Sequence, residues 1–273
     1  MPTLLLAGHG YLGQAVASRF RAAGWMVLPI SLHGGDGVIA CDLGDPDAVL
    51  SLPDADAVVH CAASGRGGAE AYQRVYVDGC RHLLHRYRDR PLLFTSSTSV
   101  YHQTDGSVVT ESSPTEPDRE TGKLLLAAES LVLGAHGIVA RLAGIYGPGR
   151  SVILRKFLVG EAVIEEDGRR LLNQIHRDDA ARAVFHLLNH PAARGRCFNV
   201  CDSQPLAQLD CYRALAAHFG KSLPPSGSRD LNRKRGWTHK HVSNAALIAT
   251  GWSPEFPSFP DAIHGRDVWP GGR

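Results

Sequence analysis

The segment Leu4-Leu5-Leu6-Ala7-Gly8-His9-Gly10-Tyr11-Leu12-Gly13 decides the fold of this chain. A short apolar run leads into glycines spaced as G-x-G-x-x-G, and a helix-forming sequence follows. In such a turn the first glycine permits a tight bend, the second lets the backbone approach a pyrophosphate, and the third lets the helix pack closely on the strand. The start of the helix offers main-chain N–H groups to an anion. We therefore predict a dinucleotide-binding turn formed by Gly8, Gly10, Tyr11, Leu12 and Gly13.

Outward from this turn, short apolar runs alternate with helix-length segments. The runs are nearly continuous, which is typical of strands buried on both faces of a parallel sheet. We predict strands at Thr3–Ala7, Met26–Ser31, Gly37–Cys41, Ala57–Cys61, Leu92–Thr95, Ile138–Leu142 and Arg196–Val200. We predict helices at Tyr11–Ala23, Pro46–Leu50, Ala69–Tyr87, Thr121–Leu133 and Arg177–Asn189. The alternation predicts an α/β fold with a doubly wound parallel sheet of the Rossmann type.

The regular alternation ends after Tyr146-Gly147-Pro148-Gly149. Two later segments are richer in glycine, proline and polar residues, whereas Arg196–Val200 between them still has the character of a sheet strand. We therefore predict a smaller, discontinuous C-terminal substrate lobe. The predicted dinucleotide-binding domain takes residues 1–150 plus about 174–203, and the lobe takes about 151–173 plus 204–273.

The overall composition is that of a globular protein. Of 273 residues, 44% are hydrophobic and 21% are charged, and 29 basic residues stand against 27 acidic ones, a net charge of +2. Because the charges nearly balance, the chain as a whole has no strong electrostatic attraction for nucleic acid or an anionic membrane. No apolar run approaches the ~20 residues that a membrane-spanning helix needs. The first residues also lack the basic segment of a secretion signal. We expect a cytoplasmic protein whose six cysteines stay reduced.

The second predicted strand lacks a feature that marks many NAD sites. Such sites place an acidic residue about twenty residues after the glycines, where it binds the ribose hydroxyls. Here no Asp or Glu precedes Asp36 in that region, and Ser31 occupies the expected position. Without a carboxylate there is no repulsion of a 2′-phosphate, so the sequence leans slightly from NAD to NADP. The lean is slight because no arginine follows to bind that phosphate.

Several segments, in this order, resemble the extended short-chain dehydrogenase/reductase family, also called the NAD-dependent epimerase/dehydratase family. They are Gly8–Gly13, Cys41–Leu43, Val58–Ala63, Phe94–Tyr101, Arg141–Gly149, Ile175–Asp179 and Phe198–Val200. The resemblance implies that Asp42 and Leu43 flank the adenine and that Cys61, Ala62 and Ala63 line the middle of the cofactor. It also implies that Ser97, four residues before Tyr101, holds the family's catalytic Ser/Thr position. The other reading of Ser97 is a hydroxyl that only caps the strand end.

The chain departs from the family at its acid–base pair, a tyrosine followed four residues later by a lysine. No tyrosine lies between Tyr101 and Tyr146. Aligning on Leu126–Glu129 puts Thr121 and Leu125 at the two positions, whereas taking Lys123 as the lysine puts Arg119 at the tyrosine. The chain thus resembles atypical family members. Our catalytic candidates are Ser97, Thr121 and Lys123, and we expect Ser97 to donate a hydrogen bond rather than supply the proton.

Other polar clusters are weaker signals. The fourteen histidines show no zinc-ligand spacing, so we predict no metal site. Basic residues gather around Trp237, and we consider Arg235 and, separately, Arg150 as ligands for a phosphorylated or nucleotide-linked substrate. The alternative for both is a solvated surface.

Two functions remain open at this point. The first is an NAD(P)-binding oxidoreductase or epimerase/dehydratase-like enzyme that acts on a small sugar-like or nucleotide-linked substrate, with a modified or lost acid–base pair. The second is a non-catalytic NAD(P)-binding sensor or scaffold. We expect no nucleic-acid or membrane partner. The family resemblance implies a homodimer built on Ala69–Tyr87 and Thr121–Leu133, and the alternative is that the apolar faces of these helices only pack on the sheet.

Overall fold

A computed structural model describes residues 1–65, 67–229 and 237–264. Its strands are β1 Thr3–Ala7, β2 Met26–Ser31, β3 Ile39–Ala40, β4 Ala57–His60, β5 Leu92–Ser97, β6 Val108–Val109, β7 Ile138–Leu142, β8 Gly144–Tyr146, β9 Ile164–Glu165, β10 Leu171–Leu172, β11 Gln174–His176, β12 Cys197–Val200, β13 Leu206–Ala207, β14 Ser226–Gly227 and β15 His241–Val242. Its α-helices are α1 Tyr11–Ala22, α2 Pro46–Leu50, α3 Ala69–Tyr72, α4 Gly79–Arg86, α5 Glu120–Gly134, α6 Val152–Leu158, α7 Arg177–Asn189, α8 Gln208–Phe219, α9 Ala245–Ile248 and α10 Phe259–His264. A π-helix, Gln73–Asp78, joins α3 to α4, and 3₁₀ turns lie at Thr98–Val100 and Pro191–Ala193.

Seven strands form one sheet in the order β3-β2-β1-β4-β5-β7-β12. Strand β1 pairs in parallel with β2 on one side and with β4 on the other. From β1 the chain therefore first adds β2 and β3 on one side of the sheet, and then adds β4, β5, β7 and β12 on the other side. In doubly wound sheets ligands bind beyond the carboxyl ends of the strands at this reversal. The Rossmann-type fold predicted from the sequence is confirmed.

The central strands are buried because apolar residues occupy both faces. Every residue of β1, β4 and β7 is buried, and Leu4, Leu5 and Leu6 have no exposed surface. Such burial fits the nearly continuous apolar runs, since a strand with one solvated face would alternate.

The helical segment 69–86 contains an unforeseen irregularity. Within the π-helix, the carbonyl of Val75 lies 2.9 Å from Nε2 of His60. A carbonyl can only accept, so this ring nitrogen carries the proton. The buried His60 thus donates a hydrogen bond to a main-chain oxygen of the π-helix.

The chain divides into two compact units. The first unit comprises Met1–Val100, Thr115–Arg141 and Ala181–Phe198. The second comprises Tyr101–Pro114, Leu142–Ala180 and the described part of Asn199–Arg273. The assignment of residues 1–150 plus about 174–203 to a dinucleotide-binding domain, and of about 151–173 plus 204–273 to a substrate lobe, stays a prediction.

The second unit has its own apolar core. Side chains of α6, α8 and α10 pack around Tyr146, with Leu154, Phe157 and Leu215 almost fully buried. Short paired strands border this core: β8 with β11, β9 with β14, and β10 with β13. None of the helices in the described ranges has the length and apolar character that a membrane crossing requires.

Candidate functional site

The turn between β1 and α1 is built against the end of β4. Gly8 has φ +100°, and a Cβ there would lie 2.4 Å from the Cα of Ala62. A Cβ on Gly13 would lie 1.9 Å from the carbonyl oxygen of Gly8. The thiol of Cys61 donates to that same oxygen at 3.2 Å. Packing within the protein therefore accounts for glycine at positions 8 and 13.

Gly10 is a different case, because no neighbour within the described residues requires glycine there. It is the N-cap residue of α1, with φ −84° and ψ −156°, angles that residues with a side chain also adopt. No atom lies within 4 Å of the place where its Cβ would stand. The first turn of α1 carries no acidic residue, and Leu12 within it is buried. The helix N-terminus, beginning at Tyr11, thus faces a space suited to an anion that approaches the backbone.

The segment after β3 provides a charged pair. Asp42 accepts from the main-chain N–H of Gly44 at 2.9 Å and from Nε of Arg74 at 3.1 Å. The hydrogen bond from Arg74 is the main reason that the pKa of Asp42 lies below its usual value. Next to it Leu43 is buried, and its carbonyl is 2.8 Å from Nδ1 of His82. Sequence reasoning missed Arg74, which lies 32 residues from Asp42 and is brought there by the π-helix.

The remaining residues predicted to bind the cofactor are Ser31 and the three residues that follow β4. Ser31 ends β2, and its hydroxyl donates to the carbonyl of Gly34 at 3.4 Å. Cys61, Ala62 and Ala63 directly follow β4. All of these residues belong to the first unit and follow strands β1, β2, β3 and β4 near their carboxyl ends.

The predicted catalytic residues lie on β5 and α5. Ser97 ends β5, and its Oγ accepts from the N–H of Ser99 at 3.2 Å, which leaves its own O–H to donate elsewhere. Thr121 is the second residue of α5 and is half-buried. Lys123 is 61% exposed and pairs with Glu120 at 3.9 Å. Leu125 is buried, at a position where the family resemblance allows a lysine. The ammonium of Lys123 thus lies beside an exposed carboxylate.

The second unit contains a cavity of about 440 Å³. Its lining comes from β8, β11, α6 and α8 and from the segment 161–173. Arg150, one predicted substrate ligand, is exposed in a turn that it closes with Gly147. Arg235, the other, lies outside the described residues. The polar side chains of the cavity, Arg170 among them, were not predicted, since no local motif marks them.

No group of three or more metal-ligating side chains is found in the ranges that the structure describes. All six cysteines are free thiols. Burial raises the pKa of Cys61 to about 12, so this thiol stays protonated.

Comparison with known proteins identifies relatives across most of the chain. The model of the NAD dependent epimerase/dehydratase family matches residues 4–201. Protein YeeZ of Escherichia coli K12 is 29% identical over 263 residues, covering 86% of this chain and 90% of that protein. The dTDP-L-rhamnose 4-epimerase of Burkholderia thailandensis is 26% identical over 332 aligned positions, covering 93% and 90%. A solved structure from Methylobacillus flagellatus, provisionally assigned as an NAD-dependent epimerase/dehydratase, has a TM-score of 0.79 at 29% identity and covers 97% of each chain.

Proposed function

Because the chain belongs to the NAD-dependent epimerase/dehydratase family, we propose that it binds NAD or NADP at the turn Gly8–Gly13. We propose further that it acts on a carbonyl or alcohol of a sugar-like or nucleotide-linked substrate. The observation that carries the proposal is the open space beside Gly10, where packing does not exclude a side chain. A pyrophosphate that needs close contact with the backbone explains this glycine. The similar epimerase from Burkholderia thailandensis supports the substrate class.

The roles of individual residues follow from their places. Main-chain N–H groups at the start of α1 would hold the pyrophosphate, with Asp42 and Leu43 at the adenine and Cys61, Ala62 and Ala63 along the middle. A bound nicotinamide supplies the hydride donor or acceptor. The hydroxyl of Ser97 has an O–H to donate, and it would orient the substrate oxygen. Thr121 lies at the start of the adjoining helix α5 and would add a second hydroxyl.

The proposed reaction lacks an evident protein group to donate or accept the proton. A positioned acid–base group contributes about 10²–10⁴-fold to rate, and a threonine hydroxyl is too weak an acid to replace a tyrosine beside a lysine. A substrate group or an ordered water would carry the proton instead. We therefore expect slow turnover with simple carbonyl substrates.

The cofactor test uses two matched glycines. Gly10 and Gly68 are both helix N-caps with nearly the same backbone angles, φ −84° and −83°, and neither has an atom within 4 Å of its missing Cβ. We expect Gly10→Ala to weaken NADH and NADPH binding at least tenfold, about 1.4 kcal/mol, with an unchanged melting temperature of the free protein. Gly68→Ala should change neither quantity. Equal dinucleotide affinity in Gly10→Ala and the wild type would contradict the proposal.

Preference between the two cofactors is part of the same titration. Ser31 offers no negative charge against a 2′-phosphate, so we propose that NADPH binds at least as tightly as NADH. The preference should be small, because the guanidinium of Arg74 is already paired with Asp42 and therefore adds little attraction for a 2′-phosphate.

A second candidate function is favoured by one observation. Leu125 is 5% exposed, so the helix face that would carry a catalytic lysine in one alignment is apolar and buried. A non-catalytic dinucleotide sensor or scaffold would fit this loss. It predicts tight dinucleotide binding with no hydride exchange on any carbonyl or nucleotide sugar, and a change in affinity for a protein partner when the dinucleotide is added.

Two further expectations concern the protein's surroundings. We propose a reducing, cytoplasmic location, since six free thiols are typical of such a compartment. We also propose a homodimer through the segment 69–86 and α5, which pack against each other in the first unit.

A further inference from the structure

The first unit contains a tyrosine beside the predicted cofactor segment that the sequence analysis did not select. Tyr76 lies in the π-helix Gln73–Asp78. Its hydroxyl accepts a hydrogen bond from the main-chain N–H of Ser64 at 3.2 Å, and Ser64 directly follows the segment Cys61–Ala63. The phenol oxygen therefore lies at the end of the segment that we expect to line the middle of a bound dinucleotide.

The hydroxyl of Tyr76 has a proton to donate. A phenol oxygen can accept one hydrogen bond while its own O–H donates another, and the bond from Ser64 uses only the accepting side. Within residues 1–65, 67–229 and 237–264 this O–H has no acceptor. The residue is half-buried, so part of it is accessible to a ligand.

Aromatic neighbours fix the direction of the Tyr76 ring. The ring stacks on His60 with centroids 6.3 Å apart and lies tilted against Phe94 at 5.9 Å. Tyr72, one turn earlier, contacts it edge-on at 4.9 Å. His60 and Phe94 are partners in the pairing of β4 with β5. The ring thus lies over two neighbouring strands, and its hydroxyl reaches the segment beyond the end of β4.

The same edge of the sheet carries the hydroxyls that we propose for the substrate. Strands β4 and β5 are parallel; Ser97 is the last residue of β5, and Ser64 follows the end of β4. The helical segment that carries Tyr76 also packs against α5, and Thr121 lies in the first turn of α5. Ser97 and Thr121 are half-buried, as Tyr76 is. The topology therefore brings three partly accessible hydroxyls to one edge of the sheet.

Tyr76 supplies the functional group that α5 lacks. At the position of the family's tyrosine, the two alignments of this chain place Thr121 or Arg119, and neither is a phenol. The phenol of Tyr76 comes instead from the helical segment next to α5. Its place in a π-helix agrees with a role in the site, because π-helical turns occur frequently at functional sites.

We propose that Tyr76 is a catalytic residue that gives its phenolic proton to the carbonyl oxygen of the substrate, in place of an ordered water or a substrate group. The inference rests on the proposed function, because it needs a dinucleotide and a carbonyl at this edge of the sheet. The hydroxyl of Ser97 would donate a second hydrogen bond to the same oxygen.

The proposed step balances as a carbonyl reduction. The carbonyl carbon accepts a hydride from a reduced nicotinamide dinucleotide while the O–H bond of Tyr76 breaks and a new O–H bond forms on the substrate oxygen. The carbonyl is reduced to an alcohol and the nicotinamide is oxidised. Solvent then returns a proton to the phenolate of Tyr76.

The first experiment tests whether the phenol lies at the bound dinucleotide, and it needs no substrate. The full chain is labelled with fluorotyrosine, and its seven tyrosines are followed by fluorine NMR during titration with NADPH. Tyr76→Phe and Tyr87→Phe identify two of the resonances by their absence. The resonance of Tyr76 should shift, whereas that of Tyr87 should not, because Tyr87 donates to the carbonyl of Pro53 at 2.7 Å, ahead of the start of β4. An unmoved Tyr76 resonance at saturating NADPH would overturn the proposal.

The second experiment separates chemistry from binding. Oxidation of NADPH is followed with the keto form of dTDP-L-rhamnose as the probe. Tyr76→Phe should lower kcat by about 10²–10⁴-fold, with KM and the affinity for NADPH nearly unchanged. Its melting temperature should fall by no more than about 6 °C, since only the bond from Ser64 is lost. Tyr72→Phe, the matched change one turn earlier, should keep the kcat of the wild type.

The outcomes distinguish failure of this role from failure of the proposed function. If the wild type binds neither NADH nor NADPH, the proposed function is wrong and the role of Tyr76 falls with it. If the wild type binds NADPH and reduces the probe, but Tyr76→Phe has the same kcat, only the role of Tyr76 is wrong. A loss of stability or affinity with an unchanged kcat would assign Tyr76 a structural role and overturn the proposal as well. NADPH binding without any oxidation by the wild type would also overturn it, and would favour the sensor.

Discussion

At the residue scale, the first unit contains a buried ion pair under the end of β5. Arg141 and Glu129 lie 2.6 Å apart, with side chains 7% and 3% exposed. Ser96 donates its hydroxyl to the same carboxylate at 2.5 Å. Burying two charges is costly, and the loss of one partner leaves the other without compensation.

Glu129→Gln should therefore destabilise the protein by about 3–5 kcal/mol, as measured by urea unfolding. The matched control is Glu120→Gln on the same helix, where the carboxylate is 63% exposed and pairs only with Lys123. Exposed pairs contribute about 0–1 kcal/mol, so this change should be nearly neutral. Similar losses in the two variants would show that the burial of the first pair has no energetic consequence.

His60 gives the protein a defined dependence on pH. Burial lowers the pKa of this histidine to about 4, against an ordinary value of 6.5. Between these values the unfolded chain binds a proton that the folded protein does not. Stability contributed by the neutral ring is thus complete above pH 6.5 and is lost as the pH falls toward 4.

We expect urea unfolding to show a loss of about 2 kcal/mol from this residue between pH 7 and pH 5. His60→Gln has no titrating group at this position, so its stability should fall less over the same range. Parallel pH profiles for the two proteins would contradict the assigned cause.

The sequence analysis identified residues whose role depends on neighbours close in the chain, and it missed residues whose partners are far away in the chain. The glycines of the first turn were identified because their spacing is set by one strand and one helix. Arg74 and Arg170 gave no such signal, since the first meets Asp42 across 32 residues and the second meets Thr238 across 68. Only the folded chain brings those groups together.

At the element scale, the β1–α1 unit depends on close approach of backbone to backbone. A side chain on Gly13 would collide with the carbonyl of Gly8 rather than with a flexible side chain. The helix would have to move away from the strand. This requirement is separate from dinucleotide binding, which we assign to Gly10.

Gly13→Ala should consequently destabilise the free protein by about 3 kcal/mol or more, since overpacking alone costs about 1–3 kcal/mol and a backbone neighbour cannot move aside. Gly134→Ala is the control, because that helical glycine has no atom within 4 Å of its missing Cβ. It should be neutral or stabilising by up to about 1 kcal/mol. Thermal and urea unfolding distinguish the variants, and an unchanged Gly13→Ala protein would refute the packing argument.

Element boundaries were predictable where the apolar pattern is uninterrupted. β1, β2 and β7 have the predicted bounds. The strand predicted at Gly37–Cys41 is only Ile39–Ala40, because Gly37 has φ +66° and belongs to the preceding turn. The helix predicted at Ala69–Tyr87 contains a π segment, in which the carbonyl of Val75 accepts from the distant His60, and the helical pattern of the sequence carries no sign of it.

At the scale of the whole molecule, the proposed dimer is directly testable. Ala127 is exposed on α5, so an arginine there should leave the fold of one protomer intact. Light scattering after size exclusion should give twice 29.4 kDa for the wild type and a shift toward the protomer mass for Ala127→Arg. Ala217→Arg, at an exposed position of α8, is the control and should stay dimeric. A wild-type protein of protomer mass at micromolar concentration would rule the dimer out.

The order of the strands also bears on how the protein is made. β12, at Cys197–Val200, is the edge strand beside β7, although some fifty residues, most of them from the second unit, separate the two in the chain. At about 5–20 residues per second of synthesis, the ribosome needs roughly another 3–12 s after β7 to supply this partner. During that interval β7 is an open, apolar sheet edge, the kind of surface that pairs with other chains. We therefore expect the nascent polypeptide to be most exposed to aggregation, and most in need of a chaperone, between the synthesis of β7 and that of β12.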